Sequence, residues 1–462
     1  MKKLTSTNPT TKFAIFAGAL ALMAFASKSD AQSSVDALLN KLEQKGVLTV
    51  DEAKELKAEN ATNSVADINK VVSSKFTTAD WVNNYKFYGD LRGRYDQVES
   101  DLHAFKTSGG ATTLNNNIRF RYRLRAGITM TMKDDVQAGF RLGTDDTGKG
   151  ADATTGNPLS NNSTLLGNGS KKPIWVDAAF GKWTPVNNST WMLSSTVGKM
   201  DNPFMQSGMV FDPDFTPEGG ALQASYKFNS DNTFLVNGGA FIIDQINSRG
   251  PYFYGAQGIW NSTWSPHVAT SLGVAGYDIA NLGQVAGHGF GATPYDSNIG
   301  NTMAGSRFTA NFNPIVANAS VTYTLDSFPL YNGAFPIKFA GEYMKNPATQ
   351  GQNEGWWLGA TAGKSGKRGT WDLSYRYQKL DANAWWDQLV DDDNIATFPT
   401  STTAGTAAGG TNIKGHLAKF NYSIFDSLTF TFTAYGNTLI HDPVVGAKTG
   451  ALHVMADLMW KF

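Results

Sequence analysis

The chain has 462 residues, with 39 Lys and Arg balanced against 39 Asp and Glu, 47 glycines, 28 phenylalanines, 12 tryptophans and no cysteine. The missing thiols exclude a disulfide framework and cysteine-based metal sites. The even charge balance lacks the basic excess of a nucleic-acid binder, so no nucleic-acid partner is expected.

Residues 1–31 read as an export signal. Lys2, Lys3 and Lys12 form a basic start, "FAIFAGALALMAFA" (Phe13 to Ala26) an apolar core, and "SDA" (Ser29 to Ala31) a small-residue cleavage site. The apolar run of about 14 residues falls short of the roughly 20 that span a bilayer as a helix. Removing residues 1–31 takes four lysines and one aspartate, leaving 35 basic against 38 acidic residues. Residues 32–80 read as a helical hairpin and linker. Val35, Leu38, Leu39 and Leu42 share one helical face, Gly46 ends the helix, and Thr49 with Glu52 forms a capping box for the next.

From Tyr85 the period changes to two. Sixteen alternating segments of about ten residues begin near Tyr85, Asn117, Val136, Ile174, Trp191, Ala221, Thr233, Tyr252, His267, Ile315, Pro336, Gly355, Thr370, Gly415, Leu428 and Ala451. "LHVMADLMWKF" sets Leu452, Val454, Ala456, Leu458, Trp460 and Phe462 on one face, with His453, Asp457 and Lys461 on the other. Connections are short after segments 2, 4, 6, 8, 12 and 14 and somewhat longer after segment 10. They are long after segments 1, 3, 5, 9, 13 and 15, and brief after segment 7. Short turns on one rim and long loops on the other is the layout of an outer-membrane barrel. An even strand count brings both barrel termini to the short-turn, periplasmic side.

Alternation alone also fits a large soluble sandwich, whose apolar faces turn inward. Aromatic residues at strand ends favour the membrane barrel: Tyr85, Tyr95, Trp183, Trp191, Trp260, Trp371 and Trp460 suit interfacial girdles. The opposite face carries Arg, Lys, Asp, Thr, Ser and Asn, as a wet lumen requires. The fold expected is therefore all-β, a closed antiparallel transmembrane β-barrel of 16 strands over residues 81–462. Closure satisfies every backbone group and leaves no edge in hydrocarbon.

"NIRFRYRLRAGITMTM" (Asn117 to Met132) shows the two faces most sharply. Arg119, Arg121, Arg123 and Arg125 occupy alternate positions, interleaved with Ile118, Phe120, Tyr122, Leu124 and Ala126. Arg92 and Arg94 share the polar phase in the first segment with Asp90 and Asp96, and Arg141 takes it in the third. Each arginine facing lipid at the midplane costs roughly 2–4 kcal/mol. This basic wall is therefore expected to line the lumen.

The stretches "DALLNKLEQKGVLTVDEAKELKAE", "YKFYGDLRGRYD", "NIRFRYRLRAGI", "GKMDNPFMQSGMVFDPDFTPEGGALQ" and the terminal "MADLMWKF" resemble the bacterial outer-membrane porins. The resemblance is closest to a porin family with a short helical N-terminal segment. Its last strand, ending in Phe462, is similar to the one that such barrels present to their assembly machinery. The resemblance implies a homotrimer in the Gram-negative outer membrane, in contact with lipid and lipopolysaccharide. It also implies that the loop after the fifth strand folds into the pore. That loop, about 199–220, carries Asp201, Asp212, Asp214 and Glu218. Folded inward, these acids would face the arginines across a constriction with a transverse field; they would equally serve as ion-pair partners that brace the wall.

The weaker signals point to no further chemistry. "GTDDTGKG" (Gly143 to Gly150) has Gly150 where a P-loop needs Ser or Thr, and no GxSxG or HExxH occurs. "DDDN" (Asp391 to Asn394) reads as a solvated loop tip rather than a divalent-cation site, and the Trp pairs 356–357 and 385–386 as girdle or loop packing rather than platforms for stacking on sugars. No catalytic residue, cofactor or metal is expected. The function expected is passive diffusion of small hydrophilic solutes and ions. The alternative is a surface-binding, adhesive or structural barrel with little conductance.

Overall fold

Alternation of apolar and polar side chains forces these segments into strands, and the strands close on themselves. The computed structural model describes residues 81–100, 115–145, 156–244, 250–282, 299–304, 307–394, 396–399, 406–441 and 450–462. The export signal and the helical hairpin lie outside the described residues. No helix among the described residues is long and apolar enough to cross a membrane, which says nothing of a β-barrel.

The barrel strands are β1 (Val82–Ser100), β2 (Asn115–Met132), β3 (Val136–Thr144), β4 (Ile174–Asn187), β5 (Trp191–Lys199), β6 (Glu218–Lys227), β7 (Asn232–Ile242) and β8 (Tyr252–Thr263). They continue as β9 (Val268–Ala280), β10 (Ile315–Leu325), β11 (Phe335–Lys345), β12 (Glu354–Gly363), β13 (Trp371–Leu380), β14 (Ile413–Phe425), β15 (Leu428–Leu439) and β16 (Gly450–Lys461). Each pairs antiparallel with its neighbours in sequence, and β16 pairs with β1. All sixteen expected segments are therefore strands of one closed barrel. The two-residue strand Ser163–Thr164 adds to the sheet by pairing with Arg121 and Tyr122 of β2.

The C-terminus completes the closure. Phe462 and Gly89 exchange backbone hydrogen bonds at 2.9 and 3.1 Å. A Cβ on Gly89 would lie 2.6 Å from the Phe462 ring, so this residue must stay small.

The two faces separate as the alternation requires. Phe87, Leu91, Ile118, Phe120, Leu124, Phe140, Leu358, Phe339 and Leu452 are exposed on the outside, where lipid replaces water. Aromatic rings collect beside the short turns. Trp191, Tyr226, Phe228 and Trp260 form a chain of ring contacts with centroids 4.3, 4.5 and 5.0 Å apart. Such a girdle places amphipathic rings at the membrane–water boundary.

Turns on that rim are short, the longest of them following β10, and on the opposite rim the connection after β11, Asn346 to Asn353, is brief as well. The connection between β5 and β6 does not project outward. Gly198 and Gly219 face each other at its neck. Gly198 has φ +117°, and a Cβ there would lie 2.4 Å from the Ala179 carbonyl oxygen. Glycine is what permits the chain to leave the wall at that point.

Two inward loops pack on each other inside the barrel. Phe204, Met209, Val210 and Phe211 of the β5–β6 loop meet Trp385, Trp386, Leu389 and Val390 of the β13–β14 loop. Phe241, Phe253, Tyr277 and Val316 of β7 to β10 complete this apolar core. The core fills the lumen on that side and leaves space on the other.

Candidate functional site: the lumen wall and its inward loops

Six of the seven arginines of the expected wall pair with carboxylates. Arg94 donates to Asp393 at 2.6 Å and to Asp457 of β16 at 2.8 Å. Arg119 and Arg121 meet Asp96 at 2.9 and 3.5 Å. His453 Nε2 lies 3.1 Å from the other oxygen of Asp96. Arg123 and Arg125 share Asp90, at 2.9 and 2.8 Å. Arg141 pairs with Asp177 of β4 and, at 2.7 Å, with Asp201. Arg92 differs: its Nη2 donates to the Asn162 side chain at 2.6 Å, and its buried Nε has no partner.

The loop acids divide. Asp214 reaches the wall, accepting from Arg123 at 2.9 Å and from Arg125 at 3.2 Å. Burial opposes its ionisation, but Arg123, Arg92 and Arg125 outweigh burial and hold its carboxyl below the ordinary range. Asp201 docks on Arg141. Glu218 begins β6 and pairs with Lys199 at 3.2 Å, away from the arginines. Asp212 meets no arginine. Its carboxylate accepts the Asp214 and Asp392 backbone N–H at 2.6 and 2.8 Å, and its own N–H donates to the Leu389 carbonyl at 2.8 Å.

Between Asp214 and Arg123 there is thus contact rather than open space. The docked β5–β6 loop is held from the other side too. Ser207 donates to Glu342 of β11 at 2.5 Å, and Gln257 of β8 accepts from the Met205 N–H at 2.9 Å.

The β13–β14 loop is the element whose role the sequence hid. Asp391 and Asn394 are buried rather than solvated, and the Asp393 carbonyl accepts from His453. Trp385 and Trp386 are fully buried, in agreement with loop packing. Carboxylate oxygens of Asp212, Asp391 and Asp392 lie within 4.8 Å of one another. Burial first, then repulsion from neighbouring aspartates, raises Asp212 and Asp392 well above the carboxylate range and Asp391, beside Asp393, to about 6. Asp393 moves the opposite way, because Arg94 and Arg92 outweigh its burial. The "WW…LV" pattern beside "DDDN" was the available signal: apolar residues in a loop of this length need something to cover them.

On the far side of the docked loop lies a cavity of about 680 Å³. Phe204, Gln206 and Phe211 of the loop form one side. Lys338, Thr361, Arg376, Lys419, Thr433 and Asp457 of β11 to β16 line the other. A second cavity of about 300 Å³ opens beside the short turns, bordered by Asp231, Thr233, Asn261, Thr270, Thr322 and again Lys338.

A closed sixteen-stranded barrel with a lipid-compatible exterior, a charged lumen and inward loops is the architecture of a transmembrane pore protein. The family model described as "Putative porin" matches residues 54–316, more than half of the chain, and the chain belongs to that family. It is an outer-membrane porin. No curated protein sequence matches it. Solved structures with a similar fold include Pseudomonas putida OprB at high pH, with 11% identity, 82% of this chain and 94% of that chain covered, and a TM-score of 0.49. The outer membrane channel DcaP of Acinetobacter baumannii shows 11% identity, coverage of 84% and 99%, and a TM-score of 0.41. A mutant of Rh. blastica porin shows 9% identity, coverage of 82% and 100%, and a TM-score of 0.39.

Proposed function

We propose that this barrel passes small hydrophilic solutes and ions by passive diffusion, with no catalytic step. The observation that carries this reading is the polar cavity of about 680 Å³ between the docked β5–β6 loop and the wall of β11 to β16. The pathway runs on the far side of the loop from Arg123 and Arg125. In this reading the arginines of β1 to β3 and the acids Asp201 and Asp214 act as one clamp. They hold the loop at a fixed distance from the opposite wall and so set the aperture. Lys338 borders both cavities, and in this reading the route continues past it to the short-turn rim. That rim faces the periplasm, together with both barrel termini, and the barrel assembles as a homotrimer among lipid and lipopolysaccharide.

Planar-bilayer recording of the refolded full chain tests this. Stable single-channel steps in potassium chloride are expected. A folded but silent barrel would overturn the diffusion reading and favour a binding or structural role. The apolar core that fills the β7 to β10 side of the lumen is the feature that would then dominate.

A further inference from the structure

The cations of this lumen fall into two kinds. Those of β2 and β3 are committed to carboxylates, as is Arg94. Arg92, Lys338, Arg376 and Lys419 border the cavity, and none of the four forms an ion pair with a described residue. The carboxylates of the same cavity are engaged elsewhere. Asp393 and Asp457 share Arg94, Asp201 holds Arg141, and Asp212 and Asp391 lie in the junction between the loops. Apart from Asp201, which stays largely exposed beside Arg141, the charged groups left to meet a solute are therefore cationic.

Their placement is ordered by the sheet. Lys338, Thr361, Ser374, Lys419 and Thr433 are successive register partners across β11 to β15. Three strand spacings separate the lysine backbones, about 14 Å at most. Arg376 stands two residues along β13 from Ser374, about 7 Å away on the same face. Its guanidinium lies over the Trp357 ring at 5.6 Å, while its Nε is buried without a partner. Its register partner on β12 is Gly359. A Cβ there would come 2.7 Å from the Arg376 Cβ, so the glycine keeps the arginine seated against the wall. A planar guanidinium fixed on one face by an aromatic ring retains its fork for a carboxylate or phosphate. The hydroxyls of Thr361, Ser374 and Thr433 supply uncharged partners alongside.

We propose that Lys338, Arg376 and Lys419, with these hydroxyls, form a binding subsite for small hydroxylated organic anions, carboxylates or phosphate esters, on the diffusion pathway. The subsite rests on the porin reading and names the solute class it handles best. Lys338 borders both cavities, so a solute held there lies beside the second opening.

Gluconate and glucose are matched in size and hydroxyl content and differ in charge, so they serve as the probes. Each is titrated against the potassium chloride current of the refolded full chain. Gluconate is expected to reach half-block at about tenfold lower concentration than glucose, the difference that one hydrogen bond to a charged group supplies. The triple variant Lys338→Gln, Arg376→Gln, Lys419→Gln should lose that difference, and Arg376→Gln alone should lose part of it. Open-channel steps in each variant show that the barrel has formed. Methyl phosphate as a third probe tells whether phosphate esters share the site with carboxylates. Steps with equal block by gluconate and glucose would overturn the subsite and leave the porin reading standing. A channel with no steps would overturn both.

Discussion

Trp385→Ala is expected to give a channel with larger and noisier single-channel conductance in an intact barrel. Trp385 is fully buried, and its ring centroid lies 5.4 Å from Phe211, 5.3 Å from Tyr277 and 6.4 Å from Phe253. Removing such a side chain costs about 3–5 kcal/mol. The loss falls on loop docking, because the closed backbone ladder from β1 to β16 holds the strands without help from the loops. Freed from their shared core, the β5–β6 and β13–β14 loops should sample undocked positions and widen the route. Phe211→Ala removes the opposite side of the same contact. The double variant should therefore cost less than the two single ones together, as expected of residues that share a cavity. Heat-resistant mobility in detergent electrophoresis would verify that the barrel persists. An unchanged conductance in Trp385→Ala would show that the two loops do not narrow the pathway.

The strand order was legible because two solvents enforce a period of two over every span. A misplaced phase would put Arg121 or Arg123 in hydrocarbon, so the arginine stripe fixed the lumen side of β2 without any coordinates. The position of the inward loop followed from strand counting together with the porin resemblance. Partner choice was not legible. Arg94 pairs with Asp457 across 363 residues of sequence, and closure of the barrel, not local spacing, brings them together. "DDDN" read as solvated because acidic runs usually are. Its burial depends on Arg94 and on a loop core assembled from β7 to β11. Lys338, Arg376 and Lys419 are each the one cation of their phase on β11, β13 and β14, so no stripe announced them. Only register places Lys338 and Lys419 in one row.

The two loops should also come apart as pH rises, and the direction follows from the carboxylates at their junction. A carboxyl whose folded pKa lies above its free value binds its proton more tightly in the docked state. The docking it supports is complete below the free pKa and is lost as pH rises through the folded one. Asp391, moved from 3.8 to about 6, loses about 3 kcal/mol of docking free energy across that interval, at 1.36 kcal/mol per unit. Asp212 and Asp392, raised further by burial and by each other's neighbourhood, extend the loss to higher pH. Asp214 and Asp393 act in the opposite sense. Their carboxyls are held low by Arg123 and Arg94, so their contribution disappears only as pH falls below the ordinary carboxylate range. Tyr435 Oη donates to Asp391 at 3.1 Å, and the Asp391 N–H donates to Gly208 at 2.9 Å, so both loops feel the titration. Docking is therefore tightest near pH 4. Hydrogen exchange over residues 205–215, corrected for the intrinsic pH dependence, should show protection falling from about pH 4 upward, through the Asp391 interval and on toward pH 8. Channel noise should rise over the same interval. Asp391→Asn, neutral throughout, should flatten the lower part of this profile while Asp212 and Asp392 keep the upper part. Protection that is constant from pH 5 to 8 in the unaltered chain would mean that the three carboxylates do not govern the contact between the loops.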